Sequence, residues 1–350
     1  MPDTTYGHGV PVNAFLFTEE DERGATPKGV VMRAMTLRDA LLEASASISR
    51  RDAETLLAHT LRRERAWLLA HLDDELSHDE LEKFRTLAGR RAAQEPLQHL
   101  TGTQEFFGIE LQVTRDVLIP RPETEHLVEA VLDWAHRQSD ADPEAGSHLR
   151  IADVGTGSGA IAIALASVLE HASLTAIDIS AEALAVAREN AARVGVADRV
   201  RFIQGDLLAP LLANHPAPDP LFTGDPLNSL IVGSDPFDPM HNAVLGGREP
   251  AFDVIASNPP YVALDDAATL APEVRDHEPA VALYAGADGL AIYRRLIPEA
   301  AQLLRPGGLL AMEIGFGQRE AVTNLLAGWN SVRFVDDYAG IPRVALAIRA

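Results

Sequence analysis

Ile151-Ala152-Asp153-Val154-Gly155-Thr156-Gly157-Ser158-Gly159-Ala160 is the stretch on which the fold turns. An apolar strand runs into a glycine turn, and Ile161-Ala162-Ile163-Ala164-Leu165 carries on as a helix. Glycines at such a turn let the backbone approach a ligand closely and let a helix N-terminus present its amides to it.

Working outward, strand and helix alternate on both sides of this stretch. Short apolar strands are expected at 149–154, 174–178, 200–205, 252–257 and 308–314, with helices near 159–170, 181–193, 288–304 and 318–328. Two further strands, near 331–336 and 343–349, close the chain. Alternation of this kind makes a mostly parallel, doubly wound sheet of α/β class. Leu304-Arg305-Pro306-Gly307-Gly308 reads as a turn that ends a helix and opens the fifth strand.

The spacing of the glycines narrows the ligand. Dinucleotide sites use G-x-G-x-x-G, whereas Gly155, Gly157 and Gly159 form G-x-G-x-G after a strand containing Asp153. That pattern is more typical of S-adenosylmethionine folds. Gly155, Thr156, Gly157, Ser158 and Gly159 are therefore candidate cofactor contacts, and Asp153 is either their neighbour or a cap on the turn. Asp178 ends the second strand, 19 residues after Gly159, where a carboxylate accepts from ribose hydroxyls. The alternative makes it an N-cap, for which Ser180 is better placed. Asp206 ends the third strand, either facing an adenine amino group or solvated, and Leu207 beside it is placed to pack on the adenine ring.

After the fourth strand comes Ser257-Asn258-Pro259-Pro260-Tyr261. These residue types suit a planar nitrogen nucleophile whose lone pair is delocalised. Acceptors aimed at its two N–H groups favour the pyramidal geometry that methylation needs. The Asn258 side-chain oxygen and the Pro259 carbonyl are the candidate acceptors, because proline offers a rigid carbonyl and no competing N–H. Tyr261 is placed to stack over the substrate group. Asn258, Pro259, Pro260 and Tyr261 are the candidate catalytic and substrate-binding residues, and Asn258 is also a candidate cofactor contact. No strong base is required, since the nitrogen loses its proton after alkyl transfer.

The chain has 350 residues, enough for two domains, with 47% hydrophobic and 23% charged residues. With no cysteine, disulfides, thiolate catalysis and zinc ribbons are excluded, and a reducing, cytoplasmic setting is expected. A net charge of −21 argues against a nucleic-acid substrate and suits capture of a basic protein. No apolar run approaches membrane-spanning length, and the histidines show no metal-ligand spacing, so neither membrane nor metal is expected. His277 reads as a solvated helix end.

Residues 1–35 are read as a flexible extension or an upstream start, with Met32 and Met35 as alternative initiators. Thr36 with Asp39, Ser49 with Asp52, and Ser77 with Glu80 match capping boxes that open helices, so 36–98 reads as a small helical bundle. Alternation at Phe107, Ile109, Leu111 and Val113 makes 99–120 a linking hairpin, and 121–350 holds the doubly wound domain. Within it, about 209–250 carries eight of the 22 prolines and reads as a disordered surface insertion or, alternatively, a substrate-gating loop.

With these residues in hand, the chain from 36 onward resembles the release-factor glutamine N5-methyltransferase family, called PrmC or HemK. The resemblance is carried by Glu95-Pro96-Leu97-Gln98-His99-Leu100-Thr101-Gly102, Glu105-Phe106-Phe107-Gly108, Val117-Leu118-Ile119-Pro120-Arg121-Pro122-Glu123-Thr124-Glu125 and Asn258-Pro259-Pro260-Tyr261. It implies a seven-stranded class I methyltransferase domain behind an N-terminal bundle that recognises the release factor. It also implies transfer of a methyl from S-adenosylmethionine to the glutamine N5 of a Gly-Gly-Gln loop in peptide chain release factors. By the same resemblance, Gly155 to Gly159, Asp178 and Asn258 contact the cofactor, and Thr124 and Glu125 border its methionine end. Family members often carry an aromatic residue where Leu207 stands, and the insertion is longer than the family leads one to expect. A ribosomal large-subunit protein as substrate is the nearest rival. Adenine-N6 methylation of DNA is a further one, for which no basic target-recognition region is visible.

Overall fold

A computed structural model describes residues 34–141, 148–213 and 252–350. The readings made for 1–35 and for the insertion at about 209–250 fall mainly outside the described residues. The chain divides into two compact units between Ala93 and Gln94, whereas the sequence reading drew its boundary after 98.

The first unit is helical: α1 (Leu37–Ala44), α2 (Arg50–Leu61), α3 (Arg65–Ala70) and α4 (His78–Ala92). Leu37, Leu41, Leu56, Leu57, Leu68 and Phe84 form its buried core. Thr36 and Ser77 make reciprocal capping boxes with Asp39 and Glu80. The box expected at Ser49 is one-sided: Ser49 accepts the Asp52 amide at 3.0 Å, but the Asp52 carboxylate is drawn away by Arg91, at 2.8 Å. An ion pair outcompetes the return bond to a backbone amide there. Helix α3 was not foreseen, being too short for its period to show.

The second unit opens with α5 (Leu97–Thr101) and a hairpin of β1 (Thr103–Phe106) and β2 (Ile109–Gln112). Phe107 and Gly108 make its two-residue turn with φ of +53° and +73°, the left-handed pair that matches strand twist. A 3-10 turn, Pro122–Thr124, leads into α6 (Glu125–Ala141).

The chain then builds β3 (Arg150–Val154), α7 (Ala160–Val168), β4 (Ser173–Asp178), α8 (Ala181–Val194), β5 (Val200–Gln204) and α9 (Ala209–Ala213). Next come β6 (Phe252–Ser257), the short α10 (Pro272–Arg275) and α11 (Ala280–Leu283), and α12 (Ala291–Leu303). The chain ends with β7 (Leu304–Glu313), α13 (Arg319–Leu325), β8 (Asn330–Asp336) and β9 (Pro342–Ile348). The seven strands order as β5-β4-β3-β6-β7-β9-β8, and only the pairs of β9 are antiparallel. Residues 304–308, read from sequence as a helix-ending turn, instead form the irregular start of β7, where the register against β6 shifts between Phe252 and Val254.

Apolar side chains cover both faces. One cluster joins the sheet to α6 and α7 through Leu127, Val131, Ile161 and Leu165. The other joins it to α12 and α13 through Tyr293, Leu296, Ile297 and Val322. Helix α7 is buried on every side from Ala160 to Ala166, hence its apolar sequence without a polar face. From β3 the chain winds outward through β4 and β5, then returns to β6 on the other side of β3. Ligands of such sheets bind beyond the carboxyl ends of the two strands at this reversal.

Candidate active site

The glycine turn follows β3, and the Asn-Pro-Pro-Tyr segment follows β6. The two strands pair in parallel with Val154 opposite Ser257, which brings residues more than a hundred positions apart to one edge. The buried Ser257 hydroxyl donates to the Val154 carbonyl at 2.6 Å, tying the strand ends together. A Cβ added at Gly155 would lie 3.9 Å from the Asn258 carbonyl, so the two motifs face each other.

The turn is held from several sides. The Gly155 and Thr156 amides donate to the Ile177 carbonyl at 2.8 and 3.0 Å. Gly157 N–H donates to the Asp178 carboxylate at 2.8 Å, and the other Asp178 oxygen takes Ser180 N–H at 2.9 Å. Ser180, not Asp178, caps α8. Gly155, Gly157 and Gly159 all have positive φ, and a side chain at Gly159 would strike Ile163. Beside Gly157 there is open space, so the turn leaves its backbone uncovered there. Asp153 is fully buried: one oxygen takes the Thr156 hydroxyl at 2.6 Å and the Ala162 amide at 3.1 Å, and the other has no hydrogen-bond partner. Burial pushes its carboxyl up to about 7. Asp153 thus serves as the cap beneath the turn.

At the end of β5 the Asp206 carboxylate accepts from Arg295 at 2.6 Å, with both side chains about half exposed. Leu207, at φ +50°, packs against the cluster under α12.

The Asn258 side-chain nitrogen donates to the Thr124 hydroxyl at 3.0 Å, and Thr124 donates to Glu313 at 2.6 Å. Thr124 is buried in the 3-10 turn and Glu313 ends β7. With one amide hydrogen on Thr124, Asn258 keeps its side-chain oxygen for other donors. Tyr261 donates its hydroxyl to the second Glu313 oxygen at 3.2 Å. Burial, with Glu313 adding to it, raises the Tyr261 phenol and keeps it protonated. The Gln318 side chain donates to the Tyr261 carbonyl at 2.9 Å and accepts from Gly315 N–H at 2.9 Å. Glu125, read with Thr124 as bordering the methionine end of the cofactor, accepts from Phe107 N–H in the hairpin turn, at 2.9 Å.

Sequence reasoning missed Glu313, Gln318, Ser257 and Asn190. Glu313 carried a signal, a carboxylate ending an otherwise apolar strand, and burial pushes it up to about 7. Asn190, on the buried face of α8, bonds the Ser158 carbonyl and both backbone groups of Gln112; a lone amide among alanines and valines was its only mark. His277 is half-buried, and beside it Glu278 is buried and holds Arg121 at 2.5 Å. Among the described residues no cluster suited to a metal ion occurs, and no helix is long and apolar enough to cross a membrane.

A doubly wound sheet whose reversal point carries a glycine turn and an Asn-Pro-Pro-Tyr segment is that of a methyltransferase, and a methyltransferase domain family model matches residues 145–221. The PrmC N-terminal domain family model matches residues 36–102. Over 325 residues the chain is 41% identical to the release factor glutamine methyltransferase of Moorella thermoacetica, covering 90% of this chain and 99% of that protein. The corresponding protein of Bordetella pertussis is 41% identical over 313 residues, covering 89% and 98%. That of Koribacter versatilis is 38% identical over 319 residues, covering 89% and 98%. The chain belongs to the release factor glutamine methyltransferase family.

Proposed function

We propose that this protein transfers a methyl group from S-adenosylmethionine to the side-chain nitrogen of the glutamine in the Gly-Gly-Gln loop of peptide chain release factors. The observation that carries this reading is the orientation of Asn258, whose nitrogen end is turned to Thr124 by one N–H and whose oxygen is left as an acceptor.

The residues fit the cofactor. Gly155 and Gly157 offer bare backbone with open space beside Gly157, and Asp178 offers carboxylate oxygens at the adjoining strand end. Asp206 and Leu207 border the adenine side. The Asp206–Arg295 pair is no obstacle there, since exposed pairs of this kind contribute at most about 1 kcal/mol. When bound, the cofactor supplies a methyl group on a sulfonium that leaves as a neutral sulfide.

The rest falls to the chain. The Asn258 oxygen and the Pro259 carbonyl accept the two hydrogens of a primary amide and turn its lone pair out of conjugation. Tyr261, anchored by its hydroxyl, lies along the planar group. Pro259 is buried and Pro260 keeps the segment stiff. With the cofactor bound, these residues would aim the amide nitrogen at the methyl carbon, and the methylated nitrogen would shed its extra proton to water. Such positioning supplies up to about 7–11 kcal/mol of the barrier.

The test is mass spectrometry of a release factor incubated with the protein and S-adenosylmethionine. One added methyl on the Gly-Gly-Gln glutamine is expected. Methylation confined to a ribosomal protein or to nucleic acid would overturn the reading.

A further inference from the structure

We propose that Glu313 is the positioning residue of the transfer site, a single buried carboxylate that sets the Asn258 amide through Thr124 and the Tyr261 ring directly. The inference deepens the reading above and rests on it. Glu313 is 2% exposed, and its two oxygens take the Thr124 and Tyr261 hydroxyls at 2.6 and 3.2 Å.

Thr124 has one proton to give. Directed at Glu313, it leaves only lone pairs toward Asn258, and the Asn258 nitrogen is the one end that satisfies them, at 3.0 Å. Were that proton turned to Asn258, the asparagine oxygen would be consumed and the acceptor for the substrate lost. Hydrogen bonds to an ionised carboxylate are about twice as strong as neutral ones, which decides the direction of the chain. Glu313 is itself fixed. Its neighbour Met312 pairs with Ser257 across β6 and β7, and the buried Tyr293 hydroxyl donates to the Glu313 carbonyl at 2.9 Å. Three elements far apart in sequence, the 3-10 turn, the end of β6 and the end of β7, therefore meet on one side chain.

The ionisable groups around Glu313 are Glu123 beside Thr124, Arg343 on β9, Tyr261 and Tyr293. Burial dominates their sum and pushes the carboxyl up to about 7. Once protonated, Glu313 gives a hydrogen to one of its own hydroxyl partners, and the direction of the chain is no longer imposed. Turnover is thus expected to rise with pH through about 7.

The experiment compares the full chain with Thr124→Val, Thr124→Ser and Glu313→Gln. It reads kcat and KM on a release factor, calorimetric binding of S-adenosylmethionine, and the side-chain amide resonances of Asn258 without substrate, assigned by their loss in Asn258→Asp. Thr124→Val is expected to lower kcat by about a hundredfold, the scale of an ångström-sized misplacement, with cofactor affinity within about threefold. Thr124→Ser, which keeps the hydroxyl, restores most of the rate, and Glu313→Gln flattens the rise with pH. The Asn258 resonances shift in Thr124→Val and Glu313→Gln and stay in place in Thr124→Ser. Unmoved resonances in Thr124→Val, or a loss confined to cofactor affinity, would overturn the proposal. A wild-type chain inactive on release factors would instead strike at the substrate reading, and the resonances would still decide the role of Glu313.

Discussion

The Gly157 amide donates to the Asp178 carboxylate across 2.8 Å, so the turn after one strand is braced by the last residue of the next. Each Asp178 oxygen takes one backbone amide, from Gly157 or Ser180, and keeps a further lone pair. The side chain can therefore shape the turn and receive ligand hydroxyls together.

Asp178→Ala is expected to weaken S-adenosylmethionine binding about ten- to a hundredfold, because hydrogen bonds to a charged group contribute about 1.5–3 kcal/mol. Calorimetric titration measures this. Unchanged affinity would confine Asp178 to bracing the turn.

Asn258→Ala removes the acceptor and leaves the glycine turn intact. Methyl transfer is expected to vanish while cofactor affinity stays within about tenfold, about 1.4 kcal/mol. Near-normal turnover in this variant would rule out the acceptor role of Asn258.

Asp153 and Glu313, with ordinary values of 3.8 and 4.5, are both pushed up to about 7 by burial. The folded state then holds more protons than the unfolded chain between those values. Their contribution to stability is full below pH 4, and it falls as pH rises towards 7, by up to about 1.4 kcal/mol per pH unit for each group. Urea midpoints taken across pH 5 to 8 should decline, and Asp153→Asn should flatten part of the slope. A midpoint that climbs through this range in the wild type and is unaltered by the substitution would contradict the assignment.

Asn190→Leu keeps the volume and strands the Ser158 carbonyl and both backbone groups of Gln112. The Ser158 carbonyl is buried and Gln112 half-buried; a buried group left unpaired costs about 1–3 kcal/mol, so a loss of about 2 kcal/mol is expected in chemical unfolding. A loss below half of that would mean water replaces the amide.

Much of the sheet was legible because strand and helix differ in period, and because glycine and proline punctuate the turns between them. The Gly155–Gly159 and Asn258–Tyr261 segments announced themselves as short contiguous patterns. Gln318 did not, Glu313 showed only as a carboxylate ending an apolar strand, and Thr124 entered only through the family resemblance. Their partnership exists only once β6 lies beside β7 and the 3-10 turn approaches both, and no local spacing encodes that meeting. Asn190 was hidden for the same reason, since its partners lie 78 and 32 positions away. The irregular start of β7 defeated the reading because Pro306, Gly307 and Gly308 belong equally well to a turn and to an irregular strand.

The Ser257 hydroxyl on the Val154 carbonyl rivets together the two strands that lead into the proposed cofactor and substrate segments. Sliding one strand past the other would break a bond that no water can reach to replace. The span between the segments therefore behaves as a fixed gauge, and a differently shaped substrate has to be accommodated by what lies above the sheet rim. Changes in preference among relatives should accordingly gather in the 3-10 turn and in the segment after Tyr261, with the riveted pair left alone.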